Sequence, residues 1–100
     1  MNMTYEITAT VSVELADAFE LYMRESHIPD LLATGCFVSA SISTSGSGRY
    51  RIRYEAADQA ALDEYLQQYA AGLRDDAAAH FPDGVTLERE VWQVLESFDI

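Results

Sequence analysis

Two histidines, one cysteine and six tyrosines supply most of the reactive side chains of this chain. An imidazole titrates near neutral pH and is the usual general acid or base. His27 stands in the stretch SHIPDLLATGCF, at the edge of a helical apolar stripe and just before Pro29, a place from which it can reach a cleft. The same place suits a histidine that caps helix carbonyls and meets the negative end of the helix dipole. His80 falls on the core stripe in the last turn of a second helix, where the structural role is expected.

Tyr22, Tyr50, Tyr54, Tyr65 and Tyr69 fall on faces that should meet between sheet and helices. Such stripes build cores, yet phenols in an apolar layer need partners, and an aromatic cavity with a few polar tips describes many small-molecule pockets. In such a pocket His27 is the candidate acid or base, and Tyr54 or Tyr22 the candidate group to orient a substrate oxygen. Tyr50, Tyr65, Tyr69 and Cys36 are candidate ligand-lining residues. Cys36 itself follows Gly35 on an apolar face and has no neighbouring signature of a nucleophile, so a buried, inert thiol is expected. Arg49, Arg51 and Arg53 share the opposite strand face, where ion pairs to Glu6, Glu88 or Glu90 compete with a clamp for an anion. With no C-x-x-C, no H-E-x-x-H and no glycine-rich phosphate loop, neither a metal nor a cofactor is implied.

The elements that position these groups can be read from periodicity. Tyr5, Ile7, Ala9, Val11 and Val13 alternate with polar residues and predict a half-buried strand. Leu15, Ala18, Phe19, Tyr22 and Met23 predict a helix over residues 15–27, which Pro29 should end near His27. Pro29 to Thr34 then makes one short helical turn, closed by Gly35 in a left-handed conformation. Cys36, Val38, Ala40 and Ile42 mark strand two, SGSG a flexible tip, and Tyr50, Ile52 and Tyr54 strand three. Asp58 is the expected N-cap of one long helix carrying Leu62, Tyr65, Leu66, Tyr69, Leu73, Ala77 and His80. Val85 to Leu95 is strand four, with its phase least clean around Arg89 to Trp92. The order βαββαβ is a ferredoxin-like α+β arrangement, a four-stranded antiparallel sheet with both helices on one face.

Length and charge narrow the function. One hundred residues, 1–100, make a single domain near the size at which pairing with a second copy helps. Six arginines, no lysine and 17 acidic residues give a net charge of −11, which disfavours phosphate backbones and anionic lipid, so neither nucleic acid nor membrane is an expected partner. The opening MNMTYEITATVSVEL has no basic segment or continuous apolar run, and the lone cysteine can form no intrachain disulfide. A cytoplasmic protein is expected. The open polar sheet face, with Thr8, Thr10, Ser12 and the arginines beside Glu6, Glu88 and Glu90, can pair with its own copy in a homodimer.

HIPDLLATGCF, residues 27–37, together with YEITATV, RYRIRYEA, YLQQYAAGLR and HFPDGV, resembles the bacterial domain-of-unknown-function 4286 family over nearly the whole chain. The resemblance implies a dimeric α/β barrel, in which two ferredoxin-like sheets pack face to face, and no established reaction. The architecture is also similar, at the level of fold, to antibiotic-biosynthesis monooxygenases and related isomerases. Two classes of function follow: a cofactor-independent enzyme acting on a small apolar or aromatic carbonyl compound, or a non-catalytic ligand-binding or accessory dimerisation module.

Overall fold

The computed structural model describes residues 2–99. In chain order it consists of β1 (Met3–Val11), a 3-10 turn (Val13–Leu15), α1 (Ala16–Tyr22), a π turn (Met23–His27), α2 (Ile28–Ala33), β2 (Ser39–Thr44), β3 (Arg49–Ala56), α3 (Gln59–Gln68), α4 (Ala70–His80) and β4 (Val85–Gln93). All strand pairs are antiparallel, in the order β2-β3-β1-β4. This is the ferredoxin-like α+β sheet expected from the sequence.

Strand alternation builds the core. Cross-strand partners Tyr5 and Tyr54, Ile7 and Ile52, and Ala9 and Tyr50 point to the helical side, where Phe19, Tyr22, Met23, Leu31, Leu62 and Tyr65 bury their own stripes against them. The opposite face carries Thr8 between Arg51 and Glu88, and Glu6 between Arg53 and Glu90. Ring packing concentrates near the β1–β3 centre, where Phe37 lies 4.9 Å from Tyr65 and 5.3 Å from Tyr54 between ring centroids.

Four sequence expectations need correction. Pro29 does not stop the first helix near His27, because His27 (φ −69, ψ −51) and Ile28 (φ −63, ψ −47) keep helical geometry. The Ile28 N–H reaches back to the Met23 carbonyl. This five-residue step closes the first α-helical ladder just before the proline, which then enters at the start of a fresh segment where its missing N–H costs nothing. The second helix is not continuous, since Tyr69 (φ −121, ψ −31) divides α3 from α4; the Asp58 cap is as expected, accepting from Ala61 N–H at 2.9 Å. Strand two starts at Ser39, not Cys36, so alternation fails before it: Phe37 is buried while Val38 is 65 % exposed. Strand four likewise ends at Gln93, short of Leu95.

Gly35 adopts φ +77 with nothing within 4 Å of the position a Cβ would take, whereas a Cβ on Gly48 (φ +75) would come 2.6 Å from the Val11 carbonyl oxygen. Gly35→Ala should therefore cost about 1–2 kcal/mol of left-handed strain. Gly48→Ala should cost more, because the sheet backbone itself must move. Urea denaturation that ranked the two variants in the reverse order would contradict this packing.

Candidate functional site

A cavity of about 440 Å³ opens between the helix-side face of β1, β3 and β4 and the layer formed by α1, the π turn and α4. Its apolar wall includes Ile7, Ile52, Phe19 and Leu87, and its polar tips are Tyr5, Tyr22, His27, Tyr54, Arg74 and Arg89, with the Asp75 carboxylate at the same wall. A concave apolar space with few convergent polar groups is the form of a small-molecule site.

The π turn brings His27 to this space. Tyr22 on α1 donates its hydroxyl proton to Asp76 Oδ2 on α4 at 2.6 Å, while His27 Nδ1 lies 3.3 Å from the same phenol oxygen. Since the one hydroxyl proton is committed to Asp76, the contact with His27 is favourable only when Nδ1 carries a proton and donates. That tautomer leaves Nε2 with a free lone pair. Burial holds the His27 pKa below its usual 6.5; Asp76 and Asp30 oppose the shift and Arg89 reinforces it. The imidazole is therefore neutral at neutral pH, the state that a base requires.

Tyr54 is fully buried on β3, and its hydroxyl is the one buried side-chain polar atom among the described residues with no hydrogen-bond partner. A buried hydroxyl without a partner is costly, and Tyr54 is among the residues that line the cavity. Burial, followed by the neighbouring phenols Tyr65, Tyr5 and Tyr22, pushes its pKa far up, so it stays protonated. Burial, with the bond and charge of Asp76, does the same to Tyr22.

His27, Tyr22 and Tyr54 thus share one cavity, as the sequence grouped them. The other candidates stand outside it. Tyr65 is buried against Tyr5, with ring centroids 5.6 Å apart. Tyr50 donates to Glu20 at 2.6 Å near the hairpin end, Tyr69 is 36 % exposed at the α3–α4 break, and Cys36 is a buried free thiol beside Thr34. Tyr5, Arg74, Asp76 and Arg89 were not singled out from the sequence. Tyr5 was legible as an inward strand position, and the broken phase around Arg89 marked a charge on an inward position of β4. Arg74 and Asp76 gave no signal, because only the packing of α4 over the cavity selects them. Among the described residues no three His, Cys, Asp or Glu side chains gather to hold a metal ion, and no helix is long and apolar enough to cross a membrane.

A four-stranded antiparallel sheet backed on one face by helices, with a cavity between the layers, defines a ferredoxin-like α+β protein. The chain belongs to the family described as domain of unknown function (DUF4286), which matches residues 2–95. No curated protein matches its sequence. Among solved structures it is similar to SnoaB, a cofactor-independent oxygenase from Streptomyces nogalater, with 16 % identity and a TM-score of 0.72 over 96 % of this chain and 95 % of that one. It is also similar to a putative antibiotic biosynthesis monooxygenase from Deinococcus radiodurans, at 21 % identity and a TM-score of 0.69 over 100 % and 98 % of the two chains. A third, from Nitrosomonas europaea, shares 13 % identity with a TM-score of 0.68 over 94 % and 90 %. At these identities the likeness is one of fold.

Because the folded pKa of His27 lies below 6.5, the unfolded chain binds more protons just under that value. The stability contribution of a neutral His27 is complete above 6.5 and is lost as pH falls through the folded pKa. Denaturation midpoints measured from about pH 7 down to about pH 5 should decline accordingly, and His27→Gln should flatten that part of the decline. An NMR titration placing His27 above 6.5 would contradict the site as described.

Proposed function

We propose that the chain is a cofactor-independent enzyme that moves a proton on a small apolar or aromatic carbonyl compound held in this cavity. The observation that carries the reading is the unpartnered, buried Tyr54 hydroxyl in the same wall as a neutral His27. His27 Nε2 takes a proton from the carbon next to the carbonyl; the electron pair of that C–H bond delocalises onto the carbonyl oxygen, and the Tyr54 O–H donates to the enolate oxygen. Tyr22, held by Asp76, orients the imidazole. Return of the proton to carbon completes an enolisation, and the fold likeness to a cofactor-independent oxygenase supports chemistry of this kind without a bound group.

The assembly we propose is a homodimer through the open sheet face. Arg49, Arg51 and Arg53 line β3 and Glu88 and Glu90 line β4, on either side of β1. A two-fold axis lying between the two faces and parallel to β1 lays the basic stripe of one copy over the acidic stripe of the other. A cytoplasmic setting suits the free thiol of Cys36.

Two measurements test these readings. In deuterated water the protein should accelerate exchange of the acidic C–H protons of β-tetralone or another member of a panel of aryl ketones and β-diketones, and His27→Ala should lower that rate about 100-fold or more. Ligand binding with no catalysed exchange across the panel would favour the non-catalytic ligand-binding module instead. Light scattering should find a dimer that weakens in high salt; Arg51→Glu should dissociate it, and adding Glu88→Arg should restore it. A monomer at physiological salt would remove the proposed assembly.

A further inference from the structure

In a chain of six arginines and 17 acidic residues, two arginines stand at the wall of the cavity against a single lining carboxylate, Asp75. Of the other four, Arg24 pairs with Glu20 and Arg53 with Glu6, each at 3.5 Å, while Arg49 and Arg51 lie on the open sheet face with no ion pair among the described residues. The two cavity arginines differ in standing on the helix-side face, beside the apolar wall. Arg74 Nη2 donates to a neutral partner, the Tyr5 hydroxyl, at 2.9 Å. Arg89 stands opposite Ile7 in the β1–β4 register, on the helix-side face that Val85 and Leu87 occupy further along β4. It has no ion-pair or hydrogen-bond partner among the described residues, and its charge is felt at both His27 and Tyr65.

An inward-pointing charge on an edge strand can serve simply to block strand addition. One charge is enough for that purpose, and it explains neither Arg74 nor the unpartnered Tyr54 hydroxyl at the same wall. Two guanidiniums without carboxylate partners, facing an apolar cavity, are the arrangement that receives a planar anion, because the guanidinium fork matches a carboxylate in shape and charge. An anionic substrate also needs such cations if it is to acquire further negative charge as an enolate.

We propose that the cavity takes an aromatic or alicyclic monocarboxylate, its carboxylate held by Arg89 and Arg74 and its ring body lying over Ile7, Ile52 and Phe19, with Tyr54 donating to a second oxygen on that body. This rests on the reading of the cavity as a ligand site and adds the charge of the ligand to it.

The test compares naphthoate with its uncharged near-isostere naphthamide by calorimetry, with the His27 ring protons followed by NMR to locate the ligand. The native protein should bind naphthoate about tenfold more tightly than naphthamide, with both shifting the His27 signals. The ratio of the two affinities should fall to about one in Arg89→Gln and invert in Arg89→Glu. Arg89 is exposed and unpartnered, so both variants should fold, which circular dichroism checks. Binding of both compounds with equal affinity, or a preference for naphthoate that survives Arg89→Glu, would overturn the carboxylate assignment while leaving the cavity a ligand site. Failure of both compounds to bind, or binding that leaves His27 unmoved, would overturn both.

Discussion

Burying a phenol hydroxyl without a partner is costly, and that cost ties the two layers of this protein together. Tyr5 and Tyr50 rise from the sheet and Tyr22 from α1, and each is met by a charged side chain: Arg74, Glu20 and Asp76 respectively. Two of these three partners come from α4, so the same bonds that satisfy the phenols hold that helix over β1 and α1. The cavity is what remains between the layers once those bonds are made. Tyr54 is the phenol whose buried hydroxyl finds no partner among the described residues.

The π turn is the second determinant of the site. A proline this far into a helix would ordinarily break it and throw His27 outward. Widening one turn over Met23–His27 lets the chain continue into α2, with Leu31 buried beyond it. The imidazole then faces Tyr22 across 3.3 Å and is desolvated enough to stay neutral. A local backbone accommodation to Pro29 thus sets both the position and the protonation state of the histidine.

Charge is partitioned between the two faces of the sheet. On the open face, arginines and glutamates occupy separate strands, and among the described residues only Arg53 and Glu6 form an ion pair there, so the face is self-complementary over a distance and not neutralised strand by strand. On the helical face nearly every inward strand position is apolar or aromatic, and Arg89 is the charged one among the described residues. Its charge acts on both His27 and Tyr65, lowering the pKa of each.

The sequence by itself determined the strand and helix order, the inward faces of β1 and β3, the Asp58 cap and the left-handed Gly35, because each depends on periodicity or on the chemistry of one or two neighbouring residues. It also grouped His27, Tyr22 and Tyr54 as candidates, since Tyr22 and Tyr54 fall on facing inward stripes and His27 at the edge of one. Tertiary structure decided the rest. Whether Pro29 ends a helix depends on how much the burial of Leu31 repays, and where Phe37 points depends on the aromatic cluster it completes, neither of which a local pattern contains. The pairing of Asp76 with Tyr22 joins residues 54 positions apart. Only the placement of α4 over the sheet makes them neighbours, and no spacing in the chain encodes that approach.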